Sequence, residues 1–256
     1  MSTKVRGNIP LITKQNVRIL LTLSNIQALQ TELLPQLVTN FETSFFVKLS
    51  EEAKTIRDVL SQIDDRLFQS YIKPILGTLN KTIFNGITAP NWVPSTPRPD
   101  QVRPYVYSTM LALVLIHTEI STTIPSSSYS GTNRTSPTNP SPLLTTVLSH
   151  LLVQVSSSLL AAFSSRPTYS LAGLMQATLD TEFIAQTMSQ YSTDEASNVQ
   201  SQIYVELDRR TTNEARTRLQ AELGEMRGIL KRLRERTRGE FACFKKPRSG
   251  AGTKPT

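Results

Sequence analysis

Apolar positions recur at three- and four-residue intervals through most of this chain, the spacing that lines one face of an α-helix. Val17, Leu20, Leu21, Leu23, Ile26 and Leu29 predict a first helix over 14–34. Pro35 removes a ladder donor and should interrupt it, after which Leu37, Phe41, Phe45 and Phe46 resume the stripe. Ser50 reads as an N-cap, with Glu51 and Glu52 well placed for the positive end of the helix dipole. The cleanest stripe follows: Ala53, Ile56, Val59, Leu60, Ile63, Leu67, Phe68 and Tyr71, with Lys54, Arg57, Asp58, Asp64 and Asp65 on the wet side. Pro74 marks a kink, Ile75, Leu79, Ile83 and Phe84 finish the face, and Gly86 is expected to stop the helix.

Four prolines make 87–102 an extended connector, in which Trp92 should fold back onto a helix. Pro104 suits a first helical turn. From Met110 to Ile120 only His117, Thr118 and Glu119 are polar. A helix apolar on nearly all sides must be surrounded, yet the run is about half the roughly 20 residues a bilayer needs. It is therefore expected to be the central, buried helix. The segment 143–163 carries no formal charge but is rich in Ser, Thr and Gln, which predicts a second buried helix facing the first rather than a membrane span. Arg166-Pro167 ends it. Ser170 should cap a helix bearing Leu171, Leu174, Met175, Ala177, Thr178, Phe183, Ile184 and Met188. Ser192–Glu195 reads as a capping box with Ser192 as the cap, and Thr211–Glu214 repeats that signature, so a break near Arg210 is expected. The last helix sets Leu219, Leu223, Met226, Leu230 and Leu233 three or four apart, a narrow seam on a charged rod.

No stretch alternates long enough to be a strand. The fold class is all-α: an elongated multi-helix bundle with a long basic C-terminal helix. The expected organisation is a flexible 1–13, a first half of the bundle over 14–123, and a Ser/Pro-rich loop over 124–142. A second half over 143–244 carries the basic helix, and a tail follows over 245–256. The loop cannot offset ordering entropy by burial and should be disordered. It holds Ser136-Pro137 and Ser141-Pro142, and 133–135 matches a glycosylation acceptor.

Charge sharpens the picture. The net charge is +8, and between Arg209 and Arg248 thirteen Lys and Arg face five Glu, so this one segment accounts for all of it. That favours a local acidic partner over a global nucleic-acid surface. Arg227, Lys231, Arg234 and Arg238 fall at i, i+4, i+7 and i+11, and Arg232 and Arg236 widen the stripe. Such a face suits an anionic membrane surface, at about 1 kcal/mol per basic residue, or an acidic partner helix. Without interleaved aromatics no nucleic acid is expected. The first acid is Glu32, so the N-terminus also matches a mitochondrial presequence in composition, although Val17–Leu23 reads equally as the start of an amphipathic helix. A single Cys excludes a disulfide framework and makes the cytosol the default compartment.

Candidate chemistry is sparse. No Gly-rich phosphate loop, HExxH or G-x-S-x-G elbow is present. His117 and Glu119, two apart, lie on different helix faces and make no dyad. His117 and His150 read as core imidazoles. Asp64 and Asp65 read as a solvated face or a partner for Arg66. Two His and one Cys do not make a zinc site. Neither catalysis nor a metal or other cofactor is expected.

Several phrases, taken in series, resemble the C-terminal helical region of the Sec-five family, exocyst complex component two. They are Leu20-Leu-Thr-Leu-Ser-Asn25, Ile63-Asp-Asp-Arg-Leu-Phe-Gln-Ser-Tyr-Ile72, Val102-Arg-Pro-Tyr105 leading to Ile116-His-Thr-Glu-Ile120, Leu174–Tyr191 and Cys243-Phe244. The resemblance implies a bundle of the vesicle-tethering-complex type, pairing with other exocyst subunits through long helices. It also implies a non-enzymatic role in docking secretory vesicles before fusion, in the cytoplasm and peripherally at the plasma membrane and sites of secretion. Family members are far longer, so the chain corresponds to a C-terminal fragment without the small-GTPase-binding domain of some members, and 124–142 resembles an insertion. The competing class is another helical scaffold, mitochondrial if the acid-free N-terminus is a presequence.

Overall fold

A computed structural model describes residues 13–124 and 141–245. The Ser136-Pro137 dipeptide, the 133–135 acceptor, most of the 124–142 loop, and nearly all of the 1–13 and 245–256 termini lie outside the described residues. Those that are described form helices and connectors, with one isolated bridge between Tyr169 and Thr211.

Helix α1 spans Lys14–Ala28, and Thr13 caps it by accepting from the Asn16 N–H at 3.1 Å. The interruption expected at Pro35 takes the form of a π turn, Leu29–Leu33, which runs directly into α2, Leu34–Phe45. Pro35 cannot donate to the Thr31 carbonyl, and its ring would crowd that carbonyl in a regular helix. Widening the preceding turn, with Leu34 N–H bonded to the Leu29 carbonyl, accommodates both problems without ending the helix. α2 stops at Phe46, which sits in the left-handed region at φ 57°. The Glu42 carboxylate accepts the Leu49 N–H at 2.8 Å and fixes the turn that follows.

Helix α3, Ser50–Thr88, is 39 residues long. Ser50 is its first helical residue rather than its cap, since Leu49 already accepts from the Ala53 N–H. The helix runs through Pro74 and past Gly86, which was expected to end it. Gly86 answers to packing instead: a Cβ there would lie 2.4 Å from the Tyr105 Cβ. Helix α4 spans Pro104–Thr123, α5 Pro142–Ser164 and α6 Leu171–Thr187. Then come a 3-10 turn at Ser189–Tyr191, α7 over Asp194–Arg209, and α8 over Asn213–Arg236, with a last 3-10 turn at Ala242–Phe244. Ser170 caps α6 as expected. The other two caps fall one residue later than the sequence suggested. Thr193, not Ser192, accepts from Ala196 N–H, because Ser192 still closes the 3-10 turn. Thr212, not Thr211, accepts from Ala215 N–H, because the Thr211 hydroxyl donates back to Leu207 at the end of α7.

The helices form two compact units that interleave along the chain, one drawn from 1–77 and 118–144 and the other from 78–117 and 145–256. In the first, Leu20, Leu23, Ile26, Tyr71, Ile72, Ile75 and Ile120 are buried. In the second, the core holds Met110, Leu113, Leu148, Leu151, Leu152, Leu159, Phe163 and Phe183. Trp92 does fold back: it is buried against Phe163 and Tyr169, with the Arg166 guanidinium 4.6 Å from its ring centre. The connector starts two residues later than expected, since Ile87 and Thr88 still belong to α3. Arg166 donates to the Ile87 carbonyl in the last turn of that helix and to the Ala89 carbonyl just past it. α4 departs from expectation on one side, since Leu111 and Leu115 are exposed. α5 is long and apolar enough to cross a membrane by length and composition, but much of it is buried in protein.

Candidate functional surfaces

α8 lies along α6. Met226, Ile229, Leu230 and Leu233 are buried in this unit, while Leu219 and Leu223 are half-buried. The lower part of the predicted seam is therefore engaged by the protein's own core. Leu223, Met226, Arg227 and Leu230 line a hollow of about 300 Å³ with Thr178, Leu179, Glu182 and Gln186 of α6. Glu182 is held there by the Tyr204 hydroxyl at 2.7 Å and the Gln186 amide at 2.8 Å. Burial, then the neighbouring carboxylate, pushes the Tyr204 phenol far above its ordinary range. Arg227, Lys231, Arg232, Arg234, Arg236 and Arg238 are all exposed. Only Arg234 of the stripe has a described hydrogen-bond partner, donating to the side chain and carbonyl of Gln186. Cations further back are paired: Arg98 with Glu222 and Glu225 at 2.8 and 2.7 Å, Arg216 with Asp208, and Arg218 with Glu214.

The apolar rows of α2 and the front of α3 are open to solvent. Leu37 is 61% exposed, Phe41 44%, Phe45 63% and Phe46 94%, and Leu33 continues the row one turn earlier. Phe41 and Phe45 stack on each other at 4.5 Å rather than on a core. On α3 Ile56, Val59 and Ile63 are exposed in the same way. Asp64 has a buried carboxylate oxygen without a partner, and burial with the adjacent Asp65 raises its pKa.

Each unit also holds a buried carboxylate whose partners sequence reasoning did not supply. Glu119 accepts from the Tyr71 hydroxyl at 3.0 Å and the Asn16 amide at 3.1 Å, joining α1, α3 and α4 within the first unit. In the second unit Asp180 accepts from the Arg103 N–H at 3.0 Å, the Tyr105 hydroxyl at 2.9 Å and the Gln176 amide at 2.8 Å. It thereby covers the start of α4, where backbone donors lack partners. Burial raises the Asp180 carboxyl to about 7, although the three hydrogen bonds pull the other way. His117 and His150 are half-buried rather than core imidazoles, because each sits at the margin of its helix's buried face. His117 lies edge-on to Phe244 at 5.9 Å, and partial burial lowers its pKa. The half-buried Cys243 thiol is raised by burial. Among the described residues no group of three His, Cys, Asp or Glu could hold a metal.

Comparison with known proteins decides the family. The model for exocyst complex component Sec5 matches residues 2–244. The chain belongs to the Sec5 family of exocyst components. Exocyst complex component 2 of Homo sapiens is 26% identical over 183 residues, covering 70% of this chain and 18% of that protein. The Mus musculus protein of the same name is 25% identical over the same length and shares. This chain thus spans under a fifth of the length of these relatives. No solved structure matches. The phrases by which the chain resembles the Sec5 family hold most members of both buried hubs: Tyr71, Arg103, Tyr105, Glu119, Gln176 and Asp180. A polar residue kept inside an apolar phrase was the signal that would have found them.

Proposed function

We propose that this chain acts as a non-enzymatic structural part of the exocyst, tethering secretory vesicles to the plasma membrane before fusion. It works in the cytoplasm and peripherally at sites of secretion. It engages another subunit by pairing a helix against the exposed rows of α2 and the front of α3. The observation that carries this reading is the row Leu33, Leu37, Phe41 and Phe45, exposed at successive four-residue steps. A row of large apolar side chains left in water is a mark of an interaction site. Phe46 adds weight, because a bulky residue in the left-handed region costs on the order of 1 kcal/mol and here presents its ring to solvent. From Glu32 to Arg66 seven carboxylates face four cations, so the matching helix carries an apolar seam with basic flanks.

The tagged chain, expressed in secreting cells, should co-purify with exocyst subunits identified by mass spectrometry. Leu37→Glu with Phe41→Glu should abolish that recovery and leave helicity unchanged. Recovery of no exocyst subunit by the soluble parent chain would count against the tethering role. Undiminished recovery by the variant would move the contact elsewhere.

A further inference from the structure

The ion pairs along α8 end with Glu225, and among the described residues none of the later Arg and Lys of α8 is paired with a carboxylate. At the end of α6 three cations line one site. Here α8 and the turn after it close a hollow of about 340 Å³ against the C-terminal end of α6. Arg234, Arg238 and Lys245 converge on it, and no carboxylate lines it. The Lys245 ammonium is held below its ordinary pKa by desolvation and by repulsion from Arg238 and Arg234. Such crowding of like charge is unfavourable until an anion arrives.

The rest of the wall suits the same ligand. The negative end of the α6 dipole would repel an anion, but Arg234 already donates to the Gln186 carbonyl there and screens it. Thr187 lines the hollow, and its hydroxyl oxygen is buried behind that wall without a hydrogen-bond partner. A buried hydroxyl without a partner costs about 1–3 kcal/mol, and a phosphate oxygen would accept from it. Phe241 and Phe244 form the apolar floor. Arg presents a planar fork that suits phosphate oxygens, and Lys adds a point charge.

We propose that this hollow is a phosphate-recognition site for a small polar group carrying phosphomonoesters, presented by a lipid headgroup or free in solution. Three cations and a hydroxyl donor match the dianionic charge and acceptor oxygens of a phosphomonoester better than the single charge of a phosphodiester. The site shares no residue with the apolar rows of α2 and α3, and it can be tested on the purified chain without any other subunit.

The full 256-residue chain should be titrated calorimetrically with inositol 1,4,5-trisphosphate. It should also be floated with phosphatidylcholine vesicles carrying phosphatidylinositol bisphosphate, and with vesicles of equal charge carrying phosphatidylserine. Arg238→Gln with Lys245→Gln should weaken binding at least tenfold. Thr187→Val, which keeps the shape, should weaken it several-fold. Lys231→Gln with Arg232→Gln removes the same charge outside the hollow and should change it less than twofold. Binding of the soluble ring without flotation assigns the site to a free phosphate, whereas binding of both assigns it to a headgroup; either result supports the site. Equal loss in the two double variants, equal flotation with phosphatidylserine, or no binding of either probe overturns it.

Discussion

The front of the chain and its last helix look alike in sequence and end differently in space. Both are amphipathic, with large apolar residues at helical spacing opposite charged ones. In α6 and α8 the stripes meet each other, and Leu230, Leu233 and Phe183 are buried. In α2 and the first turns of α3 the stripes face water, and Phe41 finds only Phe45. Periodicity reports which side of a helix is apolar, and it is silent about whether anything in the same chain covers that side. An uncovered stripe in a family of assembly components is the surface on which we propose that another helix docks.

The contrast is open to direct attack. The largest effect should come from the closed unit. Leu113 is completely buried, and Leu113→Asp would place an unpaired carboxylate in the core at several kcal/mol. Against a total stability of roughly 5–15 kcal/mol, the variant should be insoluble or lose its cooperative melt. An unchanged melting curve would show that this unit is not closed.

Asp180 comes next. Its carboxyl is raised to about 7, above the unfolded value near 3.8, so between these values the folded state holds the extra proton. Its contribution is present below about pH 4 and is lost as pH rises towards 7, with an upper bound on the order of 4 kcal/mol. The urea midpoint of the parent should fall relative to that of Asp180→Asn between pH 4.5 and 7.5. A difference that stays flat with pH would mean that Asp180 is ionised throughout.

Gly86→Ala should cost about 1–3 kcal/mol through overpacking against Tyr105, more than the gain of up to about 1 kcal/mol in helix propensity. Stabilisation in a thermal melt would show that Tyr105 moves aside freely. The smallest stability effect belongs to the open rows. Leu37→Glu with Phe41→Glu should shift the unfolding free energy by no more than about 0.5 kcal/mol per site, while subunit capture is lost. A cooperative loss of stability there would mean that the rows are covered after all.

The sequence by itself determined the helices, because spacing, caps and breakers are local properties. The helix starts near Lys14, Pro104, Leu171, Asp194 and Asn213 were legible from stripes and hydroxyl caps, and the inward fold of Trp92 followed from its size. Prolines and glycines were misjudged where their effect depends on surroundings. Pro35 widens a turn instead of breaking a helix, and Gly86 admits a neighbour instead of ending one. The basic stripe of α8 was legible as a pattern, but only the tertiary structure gathered Arg234, Arg238 and Lys245 beside Thr187. It likewise joined Asp180 to Tyr105 and Glu119 to Tyr71, and left α2 bare. The two carboxylate pairings are 48 and 75 positions apart, which no local period encodes, and the other outcomes depend on which of several equally apolar faces the chain can reach.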